Sequence, residues 1–202
     1  MIIEVDEYKK KIPNYNAEKS EDFHRESAKL ADKDFIKHLK TKKYKRIIFM
    51  AGGTASGKTE YSTSYLINKD QLVYDGTLKN INGFNIKLKH INKYSNESKV
   101  KVVLIIPINL STSYNVFHAR ERKMRDEVFF ETQIKSKETV AQILRETKIK
   151  VEIYSSAYEE KKDKLSFKRL TGSRNRKMTA KLLDYLASEI RNIAKRNNFT
   201  IK

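Results

Sequence analysis

The feature that most constrains this chain is the octapeptide Gly52-Gly53-Thr54-Ala55-Ser56-Gly57-Lys58-Thr59. It fits the pattern G-x-x-x-x-G-K-[ST], in which glycines let backbone N–H groups converge on phosphate oxygens at the start of a helix. The pattern demands a buried strand running into the turn and a helix leaving it. Both flanks comply: residues 45–51 are a short run ending in Ile47-Ile48-Phe49-Met50-Ala51, and residues 59–68 are compatible with a helix. In that setting Lys58 reaches the β- and γ-phosphates of a nucleoside triphosphate, and the Thr59 hydroxyl is a ligand for Mg²⁺. ATP and GTP fit equally.

Apolar runs at 71–75, 100–108 and 149–154 predict three further strands, and the segments between them predict helices over 84–94, 113–125 and 137–147. A final helix is expected over 175–196. Upstream, Phe23, Ala28, Leu30, Ala31, Phe35, Ile36 and Leu39 recur at three- and four-residue intervals, so an amphipathic helix is expected from about residue 20 to 39. Strands separated by helices imply an α/β fold, a three-layer sandwich around a mainly parallel sheet. At 202 residues one domain is expected: a helical lead-in (1–43), a nucleotide-binding core (44–155) and a basic helical part (156–202).

Composition narrows the chemistry. There is no cysteine, and the four histidines, His24, His38, His90 and His118, have no ligand spacing. Disulfides, thiolate catalysis and cysteine zinc sites are thereby excluded. No apolar run is long enough to span a bilayer and no signal peptide is visible, so no membrane partner and a cytoplasmic location are expected. The formal charge of +18 favours anionic partners. Lysine is spread along the whole chain, however, and Asn and Ile are also plentiful, as a general compositional bias would produce.

A phosphate cradle needs a carboxylate at a neighbouring strand end to order Mg²⁺ or to take a proton from an attacking hydroxyl. Asp75 closes the run Leu72-Val73-Tyr74, whereas the strand over 100–108 ends in Pro107-Ile108 before Asn109 and offers no acid. Asp75 is the expected metal ligand and base, with Gly76 and Thr77 as substrate contacts; the alternative is an Asp-Gly turn. Arg120, Arg122 and Arg125 cluster on the expected helix over 113–125. One or two of them can act as a lid on the transferred phosphate, or the cluster can be a solvated face paired with Glu121, Asp126 and Glu127. The basic stretch from Lys161 to Lys177 has few aromatics and reads as surface.

In this order, the glycine loop, Leu72-Val73-Tyr74-Asp75-Gly76-Thr77, the strand over 101–107 and the arginine segment make the chain resemble the zeta-toxin family of P-loop kinases. The resemblance spans roughly residues 45–154. It implies nucleotide binding by residues 53–59 and substrate contact by Asp75-Gly76-Thr77, which stand where the family has Glu-Gly-Thr. It also implies lid roles for Arg120 and for the Arg122/Lys123 pair, and an antitoxin-like partner, for which the helix over 20–39 offers a surface. Two differences stand out. The family places another strand and its presumed catalytic aspartate between the positions of Thr59 and Asp75, which here are only 16 apart (75 − 59). The family's Arg-x-Val-Pro is replaced by Lys123-Met124-Arg125-Asp126. The expected activity is transfer of a γ-phosphate to a hydroxyl of a small anionic acceptor, a nucleotide or nucleotide sugar. A polynucleotide kinase and a non-catalytic nucleotide switch are the alternatives.

Overall fold

A computed structural model describes residues 1–121, 123–159, 164–172 and 175–201. Six strands, β1 (Ile2–Glu4), β2 (Arg46–Ala51), β3 (Gln71–Asp75), β4 (Lys99–Pro107), β5 (Lys150–Glu159) and β6 (Lys164–Gly172), form one sheet in the order β1-β3-β2-β4-β5-β6. All neighbours are parallel except β5 and β6, which pair antiparallel. The glycine loop therefore leaves β2 inside the sheet, with β3 and β4 on either side.

Side-chain alternation sorts the sheet into two faces. Ile47, Phe49 and Ala51 join Leu72, Tyr74, Val102 and Leu104 in one core. Helices α1 (His24–Thr41), α3 (Ile81–Tyr94) and α5 (Asp126–Glu146) cover it through Phe35, Leu39, Phe84, Ile91, Val140 and Leu144. On the opposite face Ile48, Met50, Val73, Val103 and Ile105 pack against Tyr61 and Leu66, contributed by the eight-residue α2 (Lys58–Tyr65) and the residue that follows it. The layers are thus unequal, and the thin one lies where only 16 positions separate Thr59 from Asp75 (75 − 59). Helices α4 (Leu110–Ala119) and α6 (Arg176–Arg196) join α5 in a separate aromatic cluster around Phe117, Phe129, Phe130 and Ile190. Among the described residues no helix is long and apolar enough to cross a membrane.

Four boundaries differ from expectation, each for a local reason. The lead-in is not wholly helical: it opens with β1 and a 3₁₀ segment, Val5–Lys11. The helix expected over 113–125 stops at Ala119, because Arg120 (φ −69°, ψ 147°) and Arg125 (φ −68°, ψ 150°) are both extended. Helix α5 restarts at Asp126, where Asp126 and Glu127 meet the positive end of its dipole. The part beyond residue 155, expected to be helical, first completes β5 and then forms β6. There Arg169 approaches Glu152 at 3.5 Å. Arg176 donates to the carbonyls of Ile143, Leu144, Thr147 and Ile149, tying the end of α5 and the turn into β5 to the start of α6.

Candidate functional site

The loop after β2 has the backbone that its glycines permit. Gly52 adopts φ +139° and Gly57, the residue capping α2, adopts φ +86°. A Cβ at Gly52 would sit 2.6 Å from the Ile105 carbonyl oxygen, and one at Gly53 only 2.2 Å from the Gln133 side chain. Three surrounding elements hold successive loop carbonyls. Gln133 Nε2 of α5 donates to Thr54 O at 3.1 Å, Ser113 Oγ of α4 to Ala55 O at 2.6 Å, and Ser156 Oγ of β5 to Ser56 O at 2.8 Å. In a trans peptide the following N–H points opposite to the carbonyl. The N–H groups of Ala55, Ser56 and Gly57 are therefore turned away from these three donors, as an anion-binding nest requires. Thr132 Oγ1 accepts from Thr54 N at 3.0 Å and completes the bracing.

Two carboxylates meet at the first turn of α2. Asp75, buried at the end of β3, accepts from Thr59 Oγ1 at 3.1 Å and from Ser62 Oγ at 3.2 Å. Glu4 ends β1, in register with Asp75, and its Oε1 lies 3.4 Å from the same Thr59 hydroxyl. Burial raises the Asp75 pKa, against the pull of Lys58 and the two hydroxyls. Glu4 is raised first by burial and then by the charges of Asp75, Glu7 and Asp6. Lys58 donates to Gly53 O at 2.7 Å, and burial lowers its pKa, with the charge of Asp75 opposing. A hydroxyl between two carboxylates, next to a lysine, is a donor set suited to Mg²⁺.

Two cavities flank the loop. One, of about 960 Å³, is walled by Glu4, Lys58, Thr59, Asp75, Thr77 and Arg120. The other, of about 840 Å³, lies against Tyr65, Ile108, Val116, Tyr158 and Phe167, and Arg120 borders it too. The larger cavity is not a sink for the chain's positive charge. Glu4, Asp6, Glu7, Glu60, Asp75 and Glu121 face Lys10, Lys58, Lys79, Lys87 and Arg120 there. Lys79 is paired with Glu131 (3.2 Å), Lys87 with Asp32 (2.8 Å) and Lys10 with Glu7 (2.8 Å).

The residues expected at the site, Gly52, Gly53, Thr54, Ala55, Ser56, Gly57, Lys58, Thr59, Asp75, Gly76 and Thr77, gather at one end of the sheet; Thr77 O accepts the Gly52 N–H at 3.3 Å. Arg120 joins them, from the C-cap of α4 rather than from within a helix. Arg122 lies outside the described residues. Arg125 is withdrawn into an ion pair with Glu21, and His118 meets Asp126 at 3.0 Å. The expectation that Asp75 is the only strand-end carboxylate is corrected by Glu4. Its one signal is the order Ile2-Ile3-Glu4, a short apolar run closing on an acid as 72–75 does. Gln133 and Thr132 carried no motif; their role exists only through α5's position beneath the loop.

No family model matches the chain, and no curated protein matches it either.

Proposed function

We propose that this protein is a P-loop phosphotransferase that moves the γ-phosphate of ATP or GTP to a hydroxyl of a small acceptor. One observation carries this: the Thr59 hydroxyl, directly after Lys58 and the nest, lies between the carboxylates of Asp75 and Glu4 on the wall of an acceptor-sized cavity. The strand and acid that the resemblance to zeta toxins leaves missing between Thr59 and Asp75 have a counterpart in β1 and Glu4, which arrive from upstream of the loop. That counterpart supports kinase chemistry over a bare switch.

The two acids divide the work by their surroundings. Asp75 is buried and fixed by Thr59 and Ser62, which suits a metal ligand and not a mobile base. Thr59 and Asp75 would hold a Mg²⁺ ion, which would supply positive charge to offset that of the transferred phosphate. Glu4 is half-buried and borders the cavity, so it, rather than the buried and doubly hydrogen-bonded Asp75, can reach an acceptor hydroxyl and take its proton. Lys58 places its charge on the β- and γ-phosphates. Arg120 borders both cavities, where it can follow the phosphoryl group from donor to acceptor. The second cavity offers the Tyr65, Tyr158 and Phe167 rings to a nucleobase. Because Lys10, Lys79 and Lys87 of the larger cavity are already paired, charge gives a polyanionic acceptor no special advantage over a neutral polyol.

The test is incubation of the full chain with Mg²⁺, γ-labelled ATP or GTP and a metabolite extract. Label moves to a small molecule with the wild type and not with Lys58→Ala. Nucleotide binding without any transfer would reject the kinase and leave a switch.

A further inference from the structure

The fully buried Lys137 of α5 takes no part in the chemistry above, yet it lies beneath the loop. Its Nζ donates to Gln133 O at 2.9 Å and to Gln133 Oε1 at 3.2 Å. The same Gln133 side chain fills the space against Gly53 and donates through Nε2 to Thr54 O. Lys137 is therefore one side chain removed from the cradle. Among the described residues no carboxylate pairs with it, an arrangement that a buried ammonium ion tolerates poorly.

The charged groups on surrounding elements are engaged elsewhere. Arg191 of α6 holds Glu138 at 2.6 Å, Asp184 of α6 pairs with Arg145, and Lys79, just before α3, pairs with Glu131. Strands β2 and β4 give only apolar residues, Phe49, Ala51, Val102 and Leu104, to the core they share with α5. From α2 comes Lys58, whose charge acts on Lys137 directly. A triphosphate in the nest changes this balance in one direction. It neutralises Lys58 and places several negative charges on the far side of a loop that Gln133 bridges.

We propose that Lys137 is a positioning residue whose protonation is tied to occupancy of the cradle, so that the loop takes up a polyphosphate together with a proton. The proton comes from solvent and resides on Lys137 Nζ, which then holds Gln133 against Thr54 O as a charge-assisted donor. This rests on the nucleotide-binding part of the function proposed above and extends it to regulation by pH. Burial and the charge of Lys58 lower the Lys137 pKa to about 7 in the nucleotide-free protein. Below that pH the amine is charged with or without nucleotide, and affinity is insensitive to it. Above it, up to the raised value in the complex, affinity falls by about tenfold per pH unit.

The experiment is calorimetric titration of the full chain with the magnesium complexes of non-hydrolysable ATP and GTP analogues, at mildly alkaline pH, in buffers of different ionisation enthalpy. The dependence of the heat on buffer counts protons. Lys58, Glu4 and Asp75 also contribute, so the readout is the difference between the wild type and Lys137→Met, which keeps the apolar stem and removes the amine. The wild type should take up about one proton more than the variant. Its dissociation constant should rise from neutral to alkaline pH where the variant's stays flatter. The variant removes a buried amine that no carboxylate among the described residues balances, and with it the two hydrogen bonds to Gln133, so a thermal melt beside the titration checks that it is folded. Equal proton counts in both proteins, or parallel pH profiles, overturn the proposal while leaving nucleotide binding intact. Absence of binding in both proteins overturns it together with the nucleotide-binding reading.

Discussion

Replacing Glu4 by Gln should separate activity from stability. The interaction that the substitution weakens is a minor one: the 3.4 Å approach of Glu4 to Thr59 is long and competes with Asp75 for a single proton, so its removal costs less than about 1 kcal/mol. Against this stands relief of repulsion. The bonded oxygens of Glu4 and Asp75 both contact Thr59 Oγ1, at 3.4 and 3.1 Å, so they are no more than 6.5 Å apart (3.4 + 3.1). At an effective dielectric near 20 this separation corresponds to about 2.5 kcal/mol of repulsion, reduced to about 1 because Glu4 is half exposed to screening solvent. The raised pKa agrees in sign. A carboxyl raised on folding destabilises the fold once ionised, with the penalty growing as pH climbs from the unfolded-state value through the raised one. At neutral pH, Glu4→Gln should therefore melt at the wild-type temperature or slightly above. The transfer rate should fall by about 10²- to 10⁴-fold, the usual loss of a positioned base. Nucleotide affinity should change little. Thermal melts, γ-label transfer and a binding titration on one preparation decide the matter. A variant that transfers phosphate at the wild-type rate would refute the role of Glu4, and a marked loss of stability would refute the electrostatics.

Three other substitutions probe separate parts of the site. Gly53→Ala places a Cβ 2.2 Å from Gln133; it should abolish measurable nucleotide binding and destabilise by about 1–3 kcal/mol, read by calorimetry and a denaturant melt. Lys58→Met removes the buried amine whose charge opposes the burial of Asp75; it should bind nucleotide far more weakly, read by calorimetric titration, and push the Asp75 pKa further up. Asp75→Asn keeps the shape but weakens the acceptor for Thr59 and Ser62; the Mg²⁺ concentration needed for half-maximal transfer should rise at least about tenfold, seen in a metal titration.

What could be read in the sequence was local. The glycine loop, Lys58, Thr59 and the strand end at Asp75 are contiguous stretches whose chemistry and flanks constrain each other, and the structure brings them together at one end of the sheet. Glu4 was hidden because β1 is three residues long and pairs with a strand some 70 positions away, as the Met1 amine bound to Gln71 O shows. No periodicity survives in so short a run. The arginine segment misled for another reason: residues 118–125 have no glycine or proline to mark a break, so the extended backbone at Arg120 and Arg125 was invisible. Strand β6 did carry a period-two signal, with Leu165 and Phe167 packed toward Gly57, but the lysines and arginines around it masked the alternation.

The central claim, that the two strand-end acids around Thr59 serve phosphoryl transfer, is tested most directly by following γ-label in the presence of a metabolite extract for the wild type, Glu4→Gln and Lys58→Ala side by side. Label should pass to a small acceptor with the wild type, slow by at least about a hundredfold with Glu4→Gln, and vanish with Lys58→Ala. Bound nucleotide whose label never leaves it, in all three proteins and across neutral to alkaline pH, would contradict it.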